Sequence, residues 1–172
     1  MKKTAALVLL LLLAFSLAAE SITGKVIWVY DGDTFLLQNG QNSVEIRLWG
    51  IDAPEYKQSG GREATKFLIR LIKGRDVKVE KIDQDSYGRI VAKVYFEDVY
   101  INLEIIKNGH AWWYQHYAPK ARAFREAEAA ARDQKAGLWR DPNPIDPREW
   151  REQQKKEKEE QEKEKAKAAN AG

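Results

Sequence analysis

The stretch that decides the fold is DGDTFLLQNGQNSVEIRLWGIDAPE, residues 31–55. At its centre stands Asn39-Gly40, the strongest short signal for a hairpin turn. The runs on either side carry Thr, Phe, Val and Ile, which favour strands. A weakly alternating run also precedes the stretch, so we predict a three-stranded meander over residues 22–29, 34–37 and 43–49.

The rest of the chain alternates between strand and helix patterns. Apolar residues at helical spacing predict a helix over residues 59–73, and Gly74 is suited to end it. Two further strands and two further helices are predicted at residues 77–82, 90–96, 99–108 and 121–134. This order favours an α+β protein that is mainly a β barrel, namely an OB-fold of five strands with about three appended helices.

The N-terminus has the pattern of a cleavable signal peptide, residues 1–19. Lys2 and Lys3 precede an apolar run over residues 5–17, and Ser16-Leu-Ala-Ala19 supplies small residues for cleavage. A membrane anchor is the alternative, but the run is shorter than the roughly 20 residues that a bilayer requires. The expectation is therefore a secreted or periplasmic protein that is free of the membrane after cleavage and is a monomer.

Beyond the signal, three segments follow. Residues 20–140 form the predicted folded domain, residues 141–150 a Pro-rich linker, and residues 151–172 a Lys/Glu tail. The tail has no apolar stripe, so we expect a single solvated helix or a disordered segment.

The overall charge and the cysteine content limit the classes of function that the chain can have. Residues 20–150 carry 20 basic and 20 acidic side chains, so bulk charge gives no argument for nucleic-acid binding. The chain has no cysteine, which excludes thiol chemistry and cysteine-based zinc sites.

Two acids stand where predicted strands meet turns. Asp33 precedes the second strand and Asp52 follows the third, and carboxylate oxygens of this kind suit calcium. Pro54 disfavours a helical conformation at Ala53, so the Ala53 carbonyl is free to act as a third ligand. The alternative is that the acids only build an Asx turn, which we favour for Asp31.

One further acid and two arginines complete a set suited to phosphodiester chemistry. Glu55 lies three residues after Asp52 and can position a water or take its proton, although it could also be a surface acid that caps the turn. Arg47 lies within an apolar strand, and Arg89 follows a glycine at a turn. A guanidinium fork suits phosphate, while the alternative for either arginine is a strand-end salt bridge.

Three segments together resemble the staphylococcal (micrococcal) nuclease family, also called thermonuclease: DGDT at residues 31–34, RLWGIDAPE at 47–55 and DSYGR at 85–89. The resemblance covers about residues 22–139. It implies an OB-fold, a bound Ca²⁺, and hydrolysis of DNA and RNA to products that end in 3′-phosphate. It also implies site roles: calcium at Asp33, Asp52 and the Ala53 carbonyl, and catalysis by Arg47, Glu55 and Arg89.

The resemblance also covers two tyrosines. It implies that Tyr87 hydrogen-bonds the phosphate and, with Pro119 as the reference point, that Tyr117 contacts a nucleoside. The family's other nucleoside-contacting tyrosine falls on Gln115, which is a departure. The segment over residues 56–62 is also shorter than the family's basic loop, so substrate preference is expected to differ.

The sequence therefore predicts an exported calcium-dependent nuclease. The alternative is a catalytically weak nucleic-acid-binding module, like the nuclease-like domains of Tudor proteins that have lost the acids. All five catalytic and calcium-binding side chains are present here, which favours the enzyme.

Overall fold

The structure is a computed structural model that describes residues 21–170. The predicted signal peptide, residues 1–19, lies outside the described residues. Within the described part of the chain, no helix is long and apolar enough to cross a membrane.

The strand and helix patterns are found close to their predicted places. The strands are β1 Ser21–Val29, β2 Thr34–Asn39, β3 Asn42–Leu48, β4 Ile51–Asp52, β5 Asp76–Gln84, β6 Ile90–Phe96, β7 Val99–Tyr100 and β8 Trp112–Trp113. The helices are α1 Gly61–Ile72, α2 Ile101–Lys107, α3 Arg122–Asp133 and α4 Pro147–Asn170, with a 3₁₀ turn at Gly137–Arg140.

Five of these strands form the predicted OB-type barrel. The main sheet runs β3-β2-β1-β5-β6 with antiparallel neighbours, and a parallel pairing between β3 and β6 closes it. Alternate residues of β1, β2 and β3 point inward, and Val26, Phe35 and Ile46 are fully buried there. The α+β barrel prediction is confirmed.

A buried asparagine ties the barrel to the turn that carries the candidate site. Asn102 is fully buried on α2, and its side-chain amide donates to the carbonyl oxygens of Trp49 and Ala92 at 2.9 and 3.1 Å. Its Oδ1 accepts from the Val94 amide at 3.0 Å. Since a buried polar group must be satisfied, these bonds fix the β3–β4 turn against β6.

A second, smaller core lies between β8, α3 and the 3₁₀ turn. Trp112 is buried and packs edge-on against Trp139 at a centroid distance of 5.2 Å. Trp113, next to it on β8, is half-buried and donates its indole N–H to the Ala118 carbonyl at 3.0 Å.

The C-terminal helix begins earlier than the sequence suggested, inside the predicted linker over residues 141–150. Asp146 is the reason: its Oδ1 accepts from the Arg148 amide at 2.8 Å and its carbonyl accepts from the Trp150 amide at 2.9 Å. Pro147 then occupies the first helical position, where its fixed φ is favourable. The last part of the predicted linker, from Pro147, is therefore the first turn of α4, and only the residues before it form a linker.

Candidate active site

The turn between β1 and β2 presents Asp33 to the interior. Asp31 Oδ1 accepts from the Asp33 amide at 3.0 Å, which is the Asx turn that was favoured for Asp31. The Asp33 carboxylate is itself buried; its Oδ2 accepts from the Ala53 amide at 2.6 Å and its Oδ1 accepts from the Thr34 hydroxyl at 3.0 Å. These bonds hold the first acid against the loop that follows β4.

Gly32 is required here by close packing. A Cβ at this position would lie 2.7 Å from the Cβ of Ala53 and 2.8 Å from that of Ala64. The first turn, the loop after β4 and helix α1 therefore meet at Gly32. The glycine of the DGDT segment is thus a contact point between the elements that carry the site.

Asp52 lies beside Asp33, on the segment that follows β3. It ends β4, which pairs with β8 so that Asp52 lies opposite Trp112, and it is 3 % exposed. From β3, Arg47 places Nη2 at 2.7 Å from Asp52 Oδ1, while its Nη1 contacts the Asp33 carboxylate. One guanidinium thus bridges the two buried acids.

Glu55 stands at the rim of this cluster, on a turn held by Gln58. The Glu55 amide donates to Gln58 Oε1 at 3.2 Å, and the Gln58 amide donates back to the Glu55 carbonyl at 2.8 Å. The Glu55 side chain is 35 % exposed, so its carboxylate meets solvent. Such a position suits an acid that acts on a water molecule.

Arg89 belongs to the hairpin between β5 and β6. Its Nε donates to Asp85 Oδ2 at 2.7 Å, which is the salt bridge that the sequence offered as an alternative role. Burial by itself raises the pKa of Asp85, but hydrogen bonds from the Arg89 side chain and from the Arg89 and Tyr87 amides lower it below its usual range. The Asp85 contact leaves the guanidinium partly exposed, so both roles are compatible.

The two arginines face a common turn. Burial raises the pKa of Asp31, and the charges of Arg47 and Arg89 both oppose that rise. The parallel pairing of β3 with β6 explains this arrangement, because it sets Arg47 beside Val91, two residues after Arg89. Two cationic groups from neighbouring strands therefore converge on the Asp31–Asp33 turn.

The predicted substrate-contacting tyrosines lie at the surface. Tyr87 is 85 % exposed at the tip of the β5–β6 hairpin, beneath the Arg89 guanidinium. Tyr117 is 64 % exposed and packs edge-on against Tyr114 at 4.8 Å. Tyr117 borders a cleft of about 470 Å³ that Trp49 and Lys93 also line. Both tyrosines are accessible, and their contacts with substrate remain predictions.

Sequence reasoning missed two residues that lie at the site. Tyr114 lines the same cleft as Asp52, and burial together with the Asp52 charge raises the pKa of its hydroxyl. Arg151, from α4, lies 2.8 Å from Asp52 Oδ2 and 2.9 Å from Glu55 Oε1. The tail sequence gave no signal for this contact, since it has no apolar stripe that would predict docking.

The chemistry of the donor set fits a divalent cation. Asp33, Asp52 and Glu55 contribute three negative charges, and within the barrel Arg47 opposes them with one. Within residues 21–170 no group of three or more Asp, Glu, His or Cys side chains is arranged as a metal site. The expected calcium set has only two carboxylates, so the Ala53 carbonyl and water would complete it.

Comparison with known proteins agrees with this geometry. Residues 45–141 match the family model described as staphylococcal nuclease homologue. An uncharacterized endonuclease of Haemophilus influenzae is 39 % identical over 79 % of this chain and 76 % of its own length. An uncharacterized endonuclease of Escherichia coli is 37 % identical over 84 % of this chain and 95 % of its own. A micrococcal nuclease of Shigella flexneri is 35 % identical over 77 % and 82 %.

The closed OB barrel and the family match together define a protein of the staphylococcal nuclease class. The chain belongs to the staphylococcal nuclease family, and this membership assigns it nuclease activity.

Proposed function

We propose that this protein is an exported, calcium-dependent nuclease that hydrolyses phosphodiester bonds of DNA and RNA to 3′-phosphate products. The observation that carries the proposal is the Arg47 guanidinium between the Asp33 and Asp52 carboxylates, with Glu55 on the turn that follows. Membership of the family supports the reaction class. The N-terminal pattern of residues 1–19 supports export.

Asp33, Asp52 and the Ala53 carbonyl would hold the calcium ion. When bound, the ion supplies positive charge that polarises the scissile phosphate. Arg47 is held in place by both acids, so its free N–H groups are oriented before the substrate arrives. Such fixed donors stabilise the charge that builds up on the phosphate oxygens in the transition state.

Arg89 approaches the phosphate from the β5–β6 hairpin. Asp85 accepts from its Nε and thereby leaves the terminal nitrogens available for a second set of hydrogen bonds. With Arg47, it would grip the phosphate through two planar forks, which a point charge such as lysine cannot reproduce.

Glu55 orients the attacking water and accepts its proton. Its partly exposed carboxylate lies on the Gln58-braced turn directly after the calcium-binding segment, so a water can reach it from solvent. Attack in line with the 5′-oxygen breaks the P–O5′ bond and leaves the phosphate on the 3′ side. The leaving oxygen takes its proton from solvent.

The exposed aromatic rings provide a surface for bases. Tyr117 and Tyr114 form one edge-on pair beside the cleft that Trp49 lines. Stacking of a base on such a ring contributes about 1–3 kcal/mol without sequence preference. This supports action on both DNA and RNA.

The experiment is end-group analysis of DNA and RNA oligonucleotides incubated with purified protein and calcium. We expect 3′-phosphate and 5′-hydroxyl ends from the native protein and almost none from Glu55→Gln. Ends of the opposite polarity would contradict the proposed direction of attack. Binding of the oligonucleotides without any cleavage would favour the nucleic-acid-binding module.

A further inference from the structure

The C-terminal helix delivers an arginine into the candidate active site. Arg151 Nη2 lies 2.8 Å from Asp52 Oδ2, and its Nη1 lies 3.3 Å from Asp52 Oδ1 and 2.9 Å from Glu55 Oε1. Its partners lie 99 and 96 residues away in the sequence. The guanidinium is therefore a tertiary contact of the tail and not part of the barrel.

The start of the helix is fastened beside the same turn. Gln58, which braces Glu55, donates its Nε2 to the Ile145 carbonyl at 2.7 Å. Asp146 then caps the helix, so that Arg151 follows within its first turns. These two contacts fix the backbone at the start of α4, and the fixed backbone places the Arg151 side chain beside Asp52.

The contact is incompatible with the roles proposed for these acids. Asp52 Oδ1 accepts from Arg47 and Arg151, and Asp52 Oδ2 accepts from Arg151. Arg47 contacts only Oδ1 of Asp52, so Oδ2 is the oxygen left for a metal ion. Arg151 Nη2 occupies that Oδ2 at 2.8 Å, so a guanidinium stands where the metal ion would bind. On Glu55 the same guanidinium donates to Oε1 at 2.9 Å and so occupies an oxygen that would otherwise face a water molecule.

We propose that α4 is an autoinhibitory strap in which Arg151 stands in for the divalent cation and keeps the site closed until calcium displaces it. This inference rests on the proposed function. The charges at the site support this inference. Asp33 and Asp52 contact the Arg47 guanidinium, Glu55 adds a third negative charge, and either a divalent cation or Arg151 would balance the excess.

The contact between α4 and the acids can break at little cost in stability. The Arg151 side chain is 40 % exposed, and ion pairs of that kind are weak because water screens them. Beyond its first turns α4 is polar all round and exposed, with its charges paired along the helix or facing solvent. Displacement of one side chain and the turn that carries it exposes no apolar core.

The test is calcium titration by calorimetry of the full protein without substrate, comparing the native chain with Arg151→Ala. Lys155→Ala is the matched control, since it removes one positive charge from the same helix without contact to Asp52 or Glu55. We expect Arg151→Ala to bind calcium about 3- to 5-fold more tightly, as loss of one partly exposed competing ion pair implies. The control should stay within about twofold of the native chain.

A distance measurement reports on the strap itself. The chain has no cysteine, so spin labels at Lys66→Cys on α1 and Lys156→Cys on α4 would be the only labelled sites. Calcium should broaden the distance distribution in the otherwise native chain, and Arg151→Ala should show the broad distribution without calcium. A narrow distribution that calcium leaves unchanged would overturn the strap.

The outcomes separate the two proposals. Equal calcium affinity of native protein and Arg151→Ala, with cleavage intact, would overturn the strap and leave the proposed function standing. Weaker calcium binding by Arg151→Ala would also overturn it, because Arg151 would then support the site. Absence of both calcium binding and cleavage in the native protein and Arg151→Ala would overturn both proposals.

Discussion

Arg47 Nη2 lies 2.7 Å from Oδ1 of Asp52, across a turn of only five residues. The same guanidinium contacts the buried Asp33 carboxylate. Arg47 therefore has a structural task, the neutralisation of two buried acids, as well as the catalytic task proposed for it. Arg89 pairs with one acid, Asp85, in the described part of the chain, and it remains partly exposed. The two arginines should respond differently to substitution.

Arg89→Lys should lower kcat on the order of 10²-fold, because lysine lacks the fork that meets two phosphate oxygens. Its free energy of unfolding should change by about 1 kcal/mol or less, because lysine keeps the charge that faces Asp85 in this partly exposed pair. Arg47→Lys should lower kcat by a similar factor and also destabilise the metal-free fold by about 1–3 kcal/mol, since a buried acid loses a partner.

Single-turnover cleavage and urea unfolding of both variants check this prediction. Arg122→Lys is the control, because Arg122 forms an exposed pair with Glu126 on α3, outside the site. A native kcat in Arg89→Lys would remove that arginine from the mechanism.

Glu55→Gln and Asp52→Ala should separate chemistry from metal binding. Glu55→Gln keeps a side chain of the same size at the rim, so calcium binding should persist while cleavage falls on the order of 10²-fold. Asp52→Ala removes a buried calcium ligand and should abolish both. Calcium titration alongside single-turnover cleavage distinguishes the two. If Glu55→Gln bound calcium as weakly as Asp52→Ala, Glu55 would belong to the metal shell.

Asn102→Ala should destabilise the fold by about 2–4 kcal/mol. The substitution leaves the Val94 amide and the carbonyls of Trp49 and Ala92 without this partner in a buried setting. Asn143→Ala, at an exposed position after the 3₁₀ turn, is the control and should be nearly neutral. Urea unfolding measures both, and a neutral Asn102→Ala would contradict the role given to this residue.

His110 should make the fold sensitive to acid. Burial, with help from the Arg70 and Arg140 charges and against that of Glu63, lowers its pKa to about 4. Because the unfolded chain takes up this proton near pH 6.5, stability is full above that pH and falls as the pH drops toward 4. The loss should be on the order of 1–2 kcal/mol, allowing for partial exposure of the ring.

Urea unfolding at pH 7 and pH 4.5 measures that loss. His110→Gln should reduce the difference between the two pH values, and His116→Gln, as the matched control, should keep it. An unchanged pH dependence in His110→Gln would show that other groups cause the acid sensitivity.

Local patterns predicted the barrel and most of the site. Asn39-Gly40 predicted the hairpin, and the acids and arginines of residues 31–89 lie in or beside strands whose pairing brings them together. Asn102 was read only as part of a helix, because its burial arises from three partners on two distant segments. The contact of Arg151 could not be predicted from the sequence either, because an ion pair across 99 residues produces no periodic pattern in a charged tail.

The most direct test of the central claim is the metal dependence of cleavage. Plasmid DNA is incubated with the purified protein in calcium, or in magnesium with excess calcium-specific chelator. Two buried carboxylates and a carbonyl at a turn suit a larger ion with loose geometry, so we predict rapid cleavage with calcium and little with magnesium. Full activity in magnesium and chelator would contradict the assignment of this site to calcium.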